Sequence, residues 1–68
     1  MKIVNLNSEL HIDNEADAAY LYLNKEKENK VNYTNSLLDE NGGNVNIDFN
    51  IQGKIVGIEF IPASKFFK

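Results

Sequence analysis

Polar and apolar residues alternate with a period of two along most of this chain, the spacing of β-strands that present one face to a core. Leu10 and Ile12 alternate with His11 and Asp13, and the polar run Asp13-Asn14-Glu15-Ala16-Asp17 can turn the chain. In Ala18 to Leu23, Ala19, Leu21 and Leu23 share one face and Tyr20 and Tyr22 the other. A charged turn, Asn24 to Lys30, precedes a further alternating stretch from Val31 to Leu37, which Asn41-Gly42-Gly43 interrupts. The clearest pattern comes last. Val45, Ile47, Phe49 and Ile51 alternate with Asn44, Asn46, Asp48 and Asn50, and after Gln52-Gly53 the chain resumes as Lys54-Ile55-Val56-Gly57-Ile58-Glu59-Phe60-Ile61. The spacing predicts a hairpin with Gly53 at positive φ in its turn. The returning strand reads as apolar on both faces, with Val56, Ile58 and Phe60 on one and Ile55 and Ile61, flanking Gly57, on the other. Pro62 ends it, and Ala63 to Lys68 have room for a turn or two of helix, with Pro early and Lys in the last turn. The expected fold is α+β: a single antiparallel sheet of four to five strands with a short C-terminal helix, one domain over residues 1–68. Residues 1–8 form an N-terminal extension that could add an edge strand to a core at 9–64.

Size makes such a fold marginal. With 68 residues, surface scaling gives about 100 kcal/mol of hydrophobic gain against about 100 kcal/mol of ordering entropy. There is no Cys, so neither a disulfide nor a Cys-ligated zinc adds to this balance, and oligomerisation is the expected supplement. A homodimer is therefore expected, formed through Ile55, Gly57 and Ile61 of the last strand together with Phe66 and Phe67.

The net charge is −3 and all seven basic residues are Lys. Phosphate neutralisation needs a cationic stripe, and guanidinium is its usual reader, so nucleic acid is not an expected partner. Neither a signal-peptide core nor an apolar run of membrane-spanning length is present, and no membrane contact is expected. The default location is the cytoplasm. Asn accounts for eleven residues and suits tight turns between short strands.

Two segments carry a resemblance. Asp13-Asn14-Glu15-Ala16-Asp17-Ala18-Ala19-Tyr20-Leu21 and, about thirty residues later, Gly53-Lys54-Ile55-Val56-Gly57-Ile58-Glu59-Phe60-Ile61-Pro62-Ala63-Ser64 resemble the YuzE-like bacterial family, domain of unknown function 2283. Its members carry D-x-E-A-D-A-x-Y and then G-x-V-x-G-I-E-I-x-x-A-S. The resemblance covers about residues 9–64 and implies a compact antiparallel sheet with a C-terminal helix, and no particular activity. Some members lie beside small toxin-like genes, which implies an antitoxin-like role as one form a protein partnership could take. The chain departs from the family pattern in residues 1–8, in Pro62, where an acidic residue is common, and in its shorter C-terminus.

The candidate chemistry is sparse. Asp13, Glu15 and Asp17 have the spacing of the first ligands of a calcium loop, but Ala18 and Asn24 stand where that loop needs Gly and a bidentate Glu. Turn-forming carboxylates that accept backbone N–H groups are the simpler reading. His11 is the sole His, and no nucleophile motif surrounds Ser8, Ser36 or Ser64, so no catalytic residue, metal or cofactor is implied. Glu59, between Ile58 and Phe60, must be exposed or paired, with Lys54 or His11 as partners. Two functions follow: a non-enzymatic homodimeric protein-interaction module, or a small ligand-binding or hydrolytic protein that gathers His11, Asp13, Glu15, Asp17 and Glu59 around one pocket.

Overall fold

A computed structural model describes residues 1–24 and 30–67. The elements are β1 (Glu9–Asp13), β2 (Ala18–Tyr22), β3 (Tyr33–Leu38), β4 (Asn44–Phe49), β5 (Ile55–Ile61) and α1 (Ala63–Phe66). They build one antiparallel sheet in the order β1-β2-β5-β4-β3, with α1 resting on β5 and β2. The last strand is thus the centre of the sheet, and β1 and β3 are its edges. Among the described residues no helix is long and apolar enough to cross a membrane.

Side chains close the turns. Asp13 Oδ1 accepts the backbone N–H groups of Glu15 and Ala16 at 3.0 and 3.2 Å, an Asx turn that brings β2 back along β1. Asn50 Oδ1 does the same for Gln52 and Lys54 at 3.0 and 2.9 Å. Gly53, at φ 79°, supplies the left-handed residue of the β4–β5 hairpin. The pairing shifts between Asp48 and Phe49, so that β5 bulges around Val56.

Three expectations need correction. Residues 1–8 add no edge strand, because regular pairing starts at Glu9. Pro62 is the N-cap of α1 and not its first helical residue. The last strand is also not apolar on both faces: Gly57 and Glu59 make the centre of its second face polar. Most of the charged turn, residues 25–29, lies outside the described residues.

Residues directly opposite in an antiparallel ladder share a face, so the registers sort the side chains. Leu10 and Ile12 of β1, Ala19 and Leu21 of β2, Ile55, Ile58 and Phe60 of β5, Val45, Ile47 and Phe49 of β4, and Tyr33, Asn35 and Leu37 of β3 occupy one face, with Val56 at the bulge between Ile55 and Gly57. Helix α1 covers only its Phe60 end, where the Phe66 and Phe67 rings lie 5.4 and 4.9 Å from that of Phe60. Ala19, Val56 and Ala63 alone make up the buried apolar core among the described residues. Elsewhere no described helix lies over the face: its central residues Leu21, Val45, Ile47, Phe49 and Ile58 are half-buried, and at its edges Leu10, Ile12 and Leu37 are 40%, 48% and 59% exposed.

Candidate functional site

The opposite face is polar, and its side chains bond to one another across the strands. Ser36 Oγ donates to Asn46 Oδ1 at 2.7 Å, and Asn46 Nδ2 donates to Glu59 Oε1 at 2.9 Å, one row running from β3 through β4 to β5. In the next row the Thr34 hydroxyl donates to Asp48 Oδ1, and Tyr20 Oη donates to Asp48 Oδ2 at 2.6 Å. Strand β5 lies between β2 and β4, so Tyr20 must reach over it, and the missing side chain at Gly57 makes room. A Cβ there would stand 2.6 Å from Tyr20 Cε1. Tyr20 also stacks on Tyr22 with centroids 4.6 Å apart, and His11 meets the Tyr22 ring edge-on at 5.0 Å. Burial first, then the hydrogen bond to Asp48, and then the charges of Asp48, Tyr22 and Glu59 push the Tyr20 phenol above its ordinary value near 10. Tyr20 is therefore a neutral donor at physiological pH, suited to holding a carboxylate and unsuited to acting as a nucleophile.

At the β1 side of this face a shallow open depression of about 540 Å³ is lined by His11, Ile12, Asp13, Ala18, Ala19, Tyr20 and Glu59. Three of the five candidate residues meet there and two do not. Glu15 is exposed in the β1–β2 turn. Asp17 is engaged elsewhere: its backbone carbonyl accepts the Ala63 N–H at 2.7 Å, its Oδ1 the Ser64 N–H at 2.8 Å and its Oδ2 the Ser64 hydroxyl at 2.7 Å. These bonds clamp the start of α1 to the end of the β1–β2 turn, and they hold the Asp17 carboxyl below the usual carboxylate range. His11 directs Nε2 to Glu9 and lies opposite Tyr20, which in turn lies opposite Glu59. One strand therefore separates His11 from Glu59, and the partner of Glu59 is the neutral amide of Asn46 in place of the expected Lys54 or His11. Among the described residues no three of His, Cys, Asp and Glu could hold a metal ion together.

The homodimer candidates are dispersed. Ile55 and Ile61 are partly exposed at opposite ends of β5. The ring that approaches Gly57 is Tyr20 of the same chain. Phe66 and Phe67 pack on Phe60 at the covered end of the apolar face. Sequence reasoning missed Asp48, Asn46 and the Tyr20–Asp48 bond. The legible signal was Gly57 itself, a glycine inside a strand that marks the close approach of a ring or backbone.

A single mixed-polarity sheet, hydrogen-bonded across one face and capped by four helical residues on the other, defines a small α+β domain. A family model described as a protein of unknown function (DUF2283) matches residues 10–64, and the chain belongs to that family. No curated protein and no solved structure matches it. The two segments that carried the resemblance meet in space. Asp17 holds Ser64, Tyr20 lies over Gly57, and Ala19 sits opposite Phe60.

Proposed function

We propose that this protein is a non-enzymatic, homodimeric protein-interaction module of the cytoplasm, and that its bare apolar sheet face is the surface it offers to a protein partner. The uncovered face carries this reading. Folded monomers of this size expose about 4,300 Å², and this chain exposes 5322 Å². The excess comes from the exposed residues 1–8 as well as from the sheet face. Large exposed apolar patches on small domains mark contact surfaces. An antitoxin-like partnership is one form of such binding, and a net charge of −3 without Arg favours a protein contact over DNA.

Sedimentation velocity from low to high micromolar concentration is expected to show the mass of two chains, and a lone protomer throughout overturns the homodimer. Pull-down from the host followed by mass spectrometry identifies the partner. Ile12→Lys, at a half-exposed position on the apolar face, is expected to abolish capture with the far-UV circular dichroism unchanged. Capture that survives Ile12→Lys removes the face from the reading.

The depression bounded by His11, Asp13, Tyr20 and Glu59 favours a second reading, a small-ligand site. Resonance shifts confined to these residues in an NMR ligand screen would support it.

A further inference from the structure

We infer that the two copies of the homodimer join along β3, antiparallel to each other, with the twofold axis at Asn35. This rests on the homodimer proposed above and specifies its geometry.

The two edges of the sheet differ in kind. Edge strand β1 carries Glu9, His11 and Asp13, and charges of this sort discourage edge-to-edge pairing. A self-contact along β1 would also bring carboxylates of two acidic protomers together. Edge strand β3 reads Tyr-Thr-Asn-Ser-Leu-Leu, with no charge and no proline, and all six residues are exposed. It is the edge along which two chains of net charge −3 can approach without opposing charged side chains.

The ladder fixes which backbone groups of β3 pair with β4 and which do not. The Asp39 N–H to Gly43 carbonyl bond continues the β3–β4 register, so Tyr33, Asn35 and Leu37 turn their peptide groups inward to β4. Thr34, Ser36 and Leu38 turn theirs outward. A second copy centred on Asn35 places Thr34 opposite Ser36 of the other chain, where the outward groups form about four hydrogen bonds across the twofold. Tyr33 then faces Leu37 of the other chain on the apolar side, and the hydroxyls of Thr34 and Ser36 meet on the polar side. Shifting the axis to Ser36 would allow about six such bonds but sets Asn35 against Leu37 and Tyr33 against Asp39, whereas the Asn35 axis pairs Asn35 with its own copy and Tyr33 with Leu37, so side-chain complementarity selects Asn35. This contact covers Leu37, 59% exposed, and merges two five-stranded sheets into one, with the apolar faces meeting at Tyr33 and Leu37 on either side of a central Asn35–Asn35 pair. The partner surface is thereby doubled. A strand-to-strand contact of this length hides on the order of 500 Å² per protomer, at the small end of specific interfaces, so the dimer belongs in the micromolar range.

The test is disulfide trapping in the full chain, which has no native Cys. At a non-hydrogen-bonded pair on a twofold the Cα atoms lie about 4.5 Å apart, within the roughly 4.4–6.8 Å that a disulfide spans. Asn35→Cys is expected to form a covalent dimer under mild oxidation, and Gln52→Cys, in the distant β4–β5 turn, is expected not to. Ser36→Pro removes an outward N–H that β4 does not use. It should keep the monomer's circular dichroism and weaken dimerisation at least about tenfold. If sedimentation shows a dimer, yet Asn35→Cys does not cross-link and Ser36→Pro leaves the dimer intact, the β3 contact is wrong and the homodimer stands. If the parent chain is a monomer at high micromolar concentration, both fall.

Discussion

Gly57→Ala tests the polar face directly. The added methyl would lie 2.6 Å from Tyr20 Cε1, 2.7 Å from Tyr20 Oη and 2.7 Å from the Leu21 carbonyl oxygen. Non-bonded carbons settle near about 3.5–4.0 Å, so these neighbours must retreat by roughly an ångström. The ring can swing away only by leaving Asp48 and its stack on Tyr22, and the Leu21 carbonyl is backbone of β2, the strand paired with β5. Overpacking of this kind costs about 1–3 kcal/mol. The lost hydrogen bond to a carboxylate adds about 1.5 kcal/mol, the low end of its range because Thr34 still donates to Asp48. Replacing glycine in a strand returns about 0.5–1 kcal/mol. The net is a loss of about 1.5–4 kcal/mol, comparable with the roughly 3–5 kcal/mol that a core of this size supplies. For a domain this small the midpoint should fall by about 6–32 °C. Thermal and urea unfolding followed by circular dichroism read it out. Tyr20→Phe alone should cost about 1.5 kcal/mol, and combined with Gly57→Ala the two should cost less than their sum, because both forfeit the same bond. Gly43→Ala is the milder comparison: its methyl would meet Phe66 Cζ at 2.8 Å and Lys65 Cδ at 2.9 Å, side-chain and not backbone atoms, so the cost is limited to shifting the Phe66 ring on Phe60 and the Lys65 contact with the Asn41 carbonyl. A Gly57→Ala protein as stable as the parent, with the Tyr20–Asp48 bond retained, would refute this account of the ladder.

Acid should release the helix clamp. The Ser64 hydroxyl and then its N–H hold the Asp17 carboxyl below 3.8, against a smaller opposing effect of desolvation; a lowered folded pKa means the contribution is complete above the unfolded value and lost as pH falls through the folded one. The Ser64 amide resonance should therefore hold steady down to about pH 4 and move only below it, and Asp17→Asn should abolish that titration; a midpoint at or above 3.8 contradicts the clamp. Alkali should act on Tyr20 with the opposite sign: its raised pKa stabilises the fold fully below about pH 10 and ceases to do so as pH rises through the folded value. Absorbance titration should show a phenol ionising above the ordinary range, lost in Tyr20→Phe and shifted down in Asp48→Asn. Removal of residues 1–8, which are exposed and outside the sheet, should change the unfolding free energy by less than about 0.5 kcal/mol.

The strands were legible because a sheet with one apolar face imposes a period of two, and Val45-Asn46-Ile47-Asp48-Phe49 can satisfy it in only one way. The β4–β5 turn was legible in Asn50 and Gly53 for an equally local reason. Strand order was not. The chain passes from β2 at one side of the sheet to β3 at the far edge, and β5 then enters between β2 and β4; no local pattern encodes that insertion. The Tyr20–Asp48 bond joins residues 28 apart and exists only because of it, so Asp48 read as one more solvated residue of an alternating strand. Glu59 shows the same limit, since its partner Asn46 is fixed by the β4–β5 register and not by its sequence neighbours.

The insertion of β5 also explains why two separated segments define the family resemblance. Strands β2 and β5 are neighbours at the middle of the sheet, so residues that must fit one another come from residues 13–21 and 53–64. Asp17, at φ 51°, can cap Ser64 only if the chain turns sharply before β2. Tyr20 can reach Asp48 only if position 57 has no side chain, and α1 can lie over β2 and β5 only if Ala19 and Ala63, both buried, stay small. Each requirement names a residue in one segment and its counterpart in the other, and none needs a substrate. The polar contacts of the motif residues Asp17, Tyr20, Gly57 and Ser64 are therefore accounted for by architecture, and the edge of β3 lies outside both motif segments. Compensation offers a test of that division. Ser64→Ala and Asp17→Ala should lower stability non-additively, as two halves of one clamp, and neither should alter cross-linking through Asn35→Cys, which draws on a strand at the other side of the sheet.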